Sequence, residues 1–259
     1  MTTRLTIADG LATVVFDDAA TLNAMGPKQI ADMNRVIAAL ADDASVRVVL
    51  LRAEGPAFGV GGDLRAFNPK TGNAAAALRE IGRDLNPMIL RLRTLPAIVV
   101  AAVHGAVAGG SMGLMCAADI VLVAEGTKFS TAYARIAASP DAGNSWFLPR
   151  LVGQRKALEW LLLSDTFDAA TAHAFGLVNQ VVPAAQLAAE SERIVARLLA
   201  GPHSSHARIK RLVYQSETTP LPVQLDAEIE HFAQCAEGPD FAEGVAAFVE
   251  KRAPRFNRS

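Results

Sequence analysis

The chain has 259 residues, 51% of them hydrophobic and 20% charged. At roughly 150 residues per domain this length holds one or two domains, and so large an apolar fraction excludes a disordered chain. Lys+Arg 25 against Asp+Glu 26 give a formal net charge of -1, which excludes a global basic field for nucleic acid or a membrane surface.

The N-terminus, Met1-Thr2-Thr3-Arg4, leads straight into an alternating strand pattern, and no signal peptide is expected. Leu5-Thr6-Ile7 and Leu11–Phe16 flank Asp9-Gly10, a hairpin signal. Gly26-Pro27 opens a helix carrying Ile30, Met33, Ile37 and Leu40 at three- and four-residue spacing. Residues 46–51 and 97–103 are continuous apolar runs of strand length. Between them Leu78, Ile81, Leu85, Met88, Ile89 and Leu92 mark a long amphipathic helix. The small, polar stretch 68–77 before that helix is expected to be the most mobile segment. Residues 95–118 contain no Asp, Glu, Lys or Arg, nominally a transmembrane length. Pro96, His104, Gly105, Gly109, Gly110 and Gly113 interrupt it, so it reads as a buried strand, a glycine loop and a buried helix. Ile120–Ala124 is a further short strand. Helices then follow at Gln154–Leu163, 169–175, 184–199, His203–Gln215, 221–237 and 241–252, separated by prolines and glycines. Cys116 and Cys235 form no disulfide or zinc pattern, and a reducing cytoplasm is expected. The whole reads as an α/β core with a parallel sheet, followed by helices.

Three loops carry candidate chemistry. The first, 54–64, follows a strand and contains Gly59, Gly61 and Gly62. Its glycines let backbone N–H groups approach a ligand, and Asp63 sits where an N-cap starts a helix; a tight turn plus a cap explains it equally. The second, 104–113, joins a strand to a helix whose first N–H groups are unpaired and suit a developing oxyanion. Ala108-x-Gly110-x-x-Gly113 approaches a dinucleotide fingerprint but lacks its first glycine. In the third, Ser139-Pro140-Asp141, Ser139 reads as N-cap and Pro140 as first helical residue, placing Asp141 in the first turn. An acid there complements the helix dipole with or without chemistry. No Gly-x-Ser-x-Gly accompanies the histidines, so a Ser-His-Asp triad is unsupported.

Taken in order, Leu22-Asn23-Ala24-Met25, the loop 58–64, residues 104–119, residues 139–153, Phe175-Gly176-Leu177-Val178 and residues 243–252 resemble the crotonase superfamily, the enoyl-CoA hydratase/isomerase family. The resemblance implies a crotonase-like spiral of ββα units with a helical C-terminal trimerisation region. It divides the chain into an acyl-CoA-binding core, 1–200, and a helical oligomerisation region, 201–259. It also implies an acyl-CoA thioester whose carbonyl is polarised by two backbone N–H groups, those of Gly62 and Gly110. Ala24, Gly61, Asp63 and Leu64 belong to the segments that contact substrate. Many members carry a basic residue just before the Ala24 segment, and Ala20-Thr21-Leu22 has none; Lys251 and Arg252 are the cations considered for the CoA phosphates. Coenzyme A arrives as part of the substrate, and no metal or redox cofactor is implied. A homo-oligomer, trimer or hexamer, is expected, without nucleic acid or membrane insertion.

The departures bear on the reaction. Hydratases of this family use two glutamates to activate water; their places are taken by Gly113 and Tyr133. A phenol titrating near 10 does not replace a carboxylate base near neutral pH. Eight residues past Tyr133 stands Asp141, at the position where double-bond-shifting members and the epoxyphenylacetyl-CoA isomerase carry their acid. The family's chlorobenzoyl-CoA dehalogenase has an Asp there too, but needs a histidine upstream, and none occurs between Met1 and Val103. The expectation is an acyl-CoA isomerase with Asp141 as acid–base. A hydratase-like lyase and an inactive CoA-thioester-binding protein are the alternatives.

Overall fold

The computed structural model describes residues 1–67 and 72–256. The chain opens with the expected hairpin, β1 (Thr3–Ala8) and β2 (Leu11–Phe16). Asp9 and Gly10 both take positive φ, 52° and 83°, which matches a two-residue turn to the strand twist. β2 then runs parallel to β3 (Val48–Ala53), β3 to β4 (Ile98–Val103), β4 to β6 (Ile120–Ala124) and β6 to β9 (Gln180–Val182). The sheet order is β1-β2-β3-β4-β6-β9. β3 begins two residues later than the apolar run at 46–51, because the N–H groups of Arg47 and Val48 turn to Gly10 O instead.

The apolar runs at β3 and β4 are unbroken because both faces of the sheet are covered. Val49, Leu51, Val99, Ala101 and Val103 face one core. It is shared with α1 (Pro27–Asp42) through Ile30, Met33 and Ile37, and with α2 (Ala74–Thr94) through Leu85, Met88, Ile89 and Leu92. Val48, Leu50, Val100 and Ala102 face the other, closed by Leu187 and Val195 of α7 (Leu187–Ala200). Of the stretch 68–77 expected to be mobile, residues 68–71 lie outside the described residues. Ala74–Ala77 are the first turn of α2 instead, capped by Asn73 Oδ1 accepting from Ala76 N–H at 3.1 Å.

A second, smaller layer is a sheet of three short strands. β5 (Ala106–Ala108) pairs with β7 (Lys128–Ser130), and β7 with β8 (Phe167–Asp168). Bridges Met25–Gly62 and Gly59–Val107 extend that layer. Each turn of the chain therefore lays one strand in the large sheet, one short piece in the second layer, then a helix. β4, β5 and α3 (Gly110–Cys116) are such a turn. This is the expected spiral of ββα units. α4 (Asn144–Val152), α5 (Gln154–Leu163), α6 (Ala169–Ala174), α8 (His203–Gln215), α9 (Leu221–Ala236) and α10 (Pro239–Val249) complete it. Lys210 of α8 anchors the last helices to the core, its Nζ 2.8 Å from Asp119 Oδ2 and 3.0 Å from Ala97 O. Among the described residues no helix is long and apolar enough to cross a membrane. The charge-free stretch 95–118 is β4, β5 and α3, as its glycines indicated.

Candidate active site

Two glycine loops meet through Gly59, whose N–H donates to Ala106 O at 3.2 Å and whose carbonyl accepts from Ala108 N–H at 3.0 Å. Asn23, with φ 55°, ties the first in place: its Nδ2 donates to Glu54 O at 3.0 Å and Ala57 O at 2.8 Å. A Cβ on Gly61 would lie 2.9 Å from Ala108 O and 3.3 Å from Gly110 N, so only glycine lets the loops approach this closely. Each loop presents one N–H whose direction is fixed through the carbonyl of its own peptide. Gly61 O accepts from Met25 N–H at 2.7 Å. Gly109 O accepts from Met112 N–H at 3.0 Å and from Asn144 Nδ2 at 3.1 Å. No peptide is cis, and in a trans peptide the C=O and N–H point opposite ways. The N–H groups of Gly62 and Gly110 are thereby turned away from these partners. Among the described residues neither has a hydrogen-bond acceptor. Gly110 is also the first residue of α3, whose N-terminal N–H groups have no intrahelical partners.

Asp141 lies against this pair. A Cβ on Gly110 would be 3.3 Å from Asp141 Oδ1. The expected helix start at Ser139-Pro140 is not found: α4 begins at Asn144, with Gly143 as N-cap. Ala142 and Gly143 have φ of 50° and 82°, and that left-handed turn delays the helix. Asp141 is thus an exposed loop residue, not a first-turn acid. Its Oδ1 accepts from the Tyr133 hydroxyl at 2.6 Å, and Asn144 Nδ2 donates to the same hydroxyl oxygen at 2.9 Å. Burial, then the Asp141 charge, push the Tyr133 phenol well above its ordinary value, so it stays a neutral donor. At the other glutamate place there is no room: a Cβ on Gly113 would sit 2.1 Å from Ala142 O. Ala132, Ala137 and Ala142 all hold left-handed φ, between 50° and 61°, in the loop carrying Tyr133 and Asp141.

Residues 6–259 match the family model described as enoyl-CoA hydratase/isomerase. The chain belongs to the enoyl-CoA hydratase/isomerase family. A protein of Rhodobacter capsulatus named a probable enoyl-CoA hydratase is 33% identical over 98% of this chain and 97% of its own length. The 1,2-epoxyphenylacetyl-CoA isomerase of Escherichia coli is 32% identical over 96% of each chain. The crystal structure of an enoyl-CoA hydratase from Polaromonas superposes with a TM-score of 0.92 at 30% identity, covering 98% of this chain and 99% of that one. An acyl-CoA substrate fits this family.

Of the site residues taken from the resemblance to the enoyl-CoA hydratase/isomerase family, the fold sets Gly61 and its neighbour Gly62 beside Gly110, and Gly110 beside Asp141. Ala24 adjoins them through Met25; its N–H is engaged by Thr21 Oγ1 at 3.3 Å and its carbonyl by Gly26 N–H at 2.9 Å. Asp63 caps the short 3-10 turn Leu64–Phe67, accepting from Arg65 N–H at 3.1 Å. The Arg65 side chain, donating to Asp63, holds that carboxyl below the usual range. Leu64 is exposed. Arg252 is committed to Glu243 and Glu250, while Lys251 is exposed. A cleft of about 240 Å³ lies between α1 and α2, lined by Ile30, Ala66, Ala77 and Ile81 with Glu80 and Asp84 at its side. Sequence reasoning missed Asn144 and Ser111. Ser111 Oγ accepts from Gly61 N–H at 3.0 Å. A buried Asn three residues after the acid leaves no readable signal. Tyr133, one of two tyrosines in the chain, was visible only as a missing glutamate.

Proposed function

We propose that this protein is an acyl-CoA isomerase that shifts a double bond from the Δ3 to the Δ2 position. The observation that supports this best is the treatment of the two glutamate places. One is sealed by the Ala142 carbonyl and the other holds a neutral phenol, while the carboxylate beside the paired N–H groups is Asp141. In this reading the thioester oxygen sits on the N–H groups of Gly62 and Gly110. Asp141 removes the proton from C2 of a 3-enoyl-CoA. The C–H electron pair moves into a dienolate whose negative charge rests on the thioester oxygen, a stabilisation worth about 3–4 kcal/mol per donor. The same carboxyl group returns the proton at C4, the thioester carbonyl re-forms, and the double bond lies between C2 and C3. One acid suffices for both transfers.

Asp141→Asn keeps size and shape but accepts no proton. Turnover of a 3-enoyl-CoA is expected to fall about 10²- to 10⁴-fold, with CoA-thioester affinity, measured by calorimetry, unchanged within a few fold. Parent-like turnover in the variant removes Asp141 as base. Hydration of a 2-enoyl-CoA by the parent identifies a lyase instead, and binding without either turnover identifies an inactive thioester-binding protein.

The same reading gives residues 201–259 an oligomerisation role. Ile209, Val213, Ile229, Phe232, Phe248 and Val249 are all more than half exposed, Phe248 at 86%. Leu198 and Leu199, near the end of α7, pack against the core instead. An apolar surface of this kind marks an interaction site, and the family resemblance makes its occupant a second and third copy of the chain. Sedimentation at micromolar concentration is expected to show a trimer or its double; a monomer counts against it.

A further inference from the structure

We infer that Tyr133 is a positioning residue of the reaction: its hydroxyl holds Asp141 Oδ1 and thereby assigns the travelling proton to Oδ2. This rests on the isomerase reading, since it gives Tyr133 a duty toward Asp141 as base.

The hydrogen bonds run in one direction. Asn144, fully buried, faces three acceptors with its Nδ2: Gly109 O at 3.1 Å, Asp141 O at 3.1 Å and the Tyr133 hydroxyl oxygen at 2.9 Å. Among the described residues its Oδ1, also buried, has no partner. Turning the amide over would set that oxygen against three other oxygens, so the acceptors decide its orientation. With a donor already directed at its oxygen, the Tyr133 hydroxyl has one hydrogen to give, and it points to Asp141 Oδ1 at 2.6 Å. The phenyl ring is buried, which holds the hydroxyl in place. Such a chain strengthens each bond in it.

The consequence is a division of labour within one carboxylate. Oδ1 is occupied by a donor that stays protonated. Among the described residues none donates to Oδ2, and it is the oxygen left to accept the C2 proton. The network also reaches Gly109 O, the carbonyl of the peptide whose N–H is the Gly110 donor. Base and oxyanion donor are thus held by one buried amide. A carboxylate at 133 would face Asp141 charge against charge; the tyrosine there donates to it.

The test compares the parent, Tyr133→Phe and Asp141→Asn by conversion of a 3-enoyl-CoA into its 2-enoyl isomer, read by the absorbance of the conjugated thioester, with KM and thermal unfolding recorded alongside. Tyr133→Phe removes one oxygen and keeps the ring. Its kcat is expected to fall roughly 10- to 100-fold, as for misplacement of a catalytic group, with KM within twofold and the melting temperature within a few degrees. Parent-like turnover in Tyr133→Phe, beside an inactive Asp141→Asn, overturns this inference alone. A rate loss in Tyr133→Phe matched by a raised KM or a collapsed melting temperature shows a merely structural tyrosine and overturns it too. Absence of isomerisation by the parent, or parent-like turnover in Asp141→Asn, overturns the isomerase reading and the inference with it.

Discussion

Positions 113 and 133 offer two different fates for a polar site within one fold. Gly113 lies in α3 with the Ala142 carbonyl so close that a Cβ would stand 2.1 Å from its oxygen. Backbone occupies the place of a side chain there. Position 133 keeps a large side chain, buried to 7% exposure, and keeps a polar contact with the loop beyond it. The difference teaches that a side chain excluded by backbone packing is not restored by one substitution, because the neighbouring chain fills the space. Where a large polar side chain stands, one substitution can change the hydrogen bond it makes and keep its space.

The contrast is most directly broken at Gly113. Gly113→Ala adds a single methyl where backbone cannot yield cheaply, and overpacking of this kind typically costs about 1–3 kcal/mol. Relief comes by displacing Ala142 and with it Asp141. Turnover is expected to fall about a hundredfold, the scale of a 1 Å misplacement, together with a lower melting temperature. A variant that melts and turns over like its parent would show that α3 and the Ala142 loop separate freely. A smaller effect sharpens the other half. Because burial and the Asp141 charge raise the Tyr133 phenol, its proton stays on beyond the ordinary tyrosine value of about 10. Raising the pH therefore leaves the donor intact. The pH profile of turnover is expected to stay level on the alkaline side up to about pH 10. An alkaline loss below that point, present in the parent and absent in Tyr133→Phe, contradicts a buried neutral phenol.

The large sheet was legible because its strands carry their own signals: Asp9-Gly10 for the hairpin, and unbroken apolar runs for β3, β4 and β6, covered on both faces. β5, β7, β8 and β9 were not, since two or three residues hold no periodicity and take their strand form from the partners they meet. The two glycine loops were legible as places where backbone must approach backbone, while the choice of Gly62 and Gly110 within them came from the resemblance. The assignment of chemistry to Asp141 came from resemblance rather than spacing, and its local setting was misjudged. Ser139-Pro140 satisfies the rules for a helix start, yet Ala142 and Gly143 turn left-handed and the helix waits until Asn144. Gly143 was the available hint. Asn144 had none, because two of its three acceptors, Gly109 O and the Tyr133 hydroxyl, lie 35 and 11 residues away in the chain.

The three alanines at positive φ set selection for activity against selection for endurance. A non-glycine residue in that region costs roughly 1–2 kcal/mol, and Ala132, Ala137 and Ala142 bear it together within eleven residues. Glycine at any of them would relieve the cost and, by freeing the backbone, loosen the aim of Tyr133 or Asp141. Heat resistance in this protein is therefore more readily gained away from this loop. A lineage adapting to higher temperature would keep its alanines and change its helices.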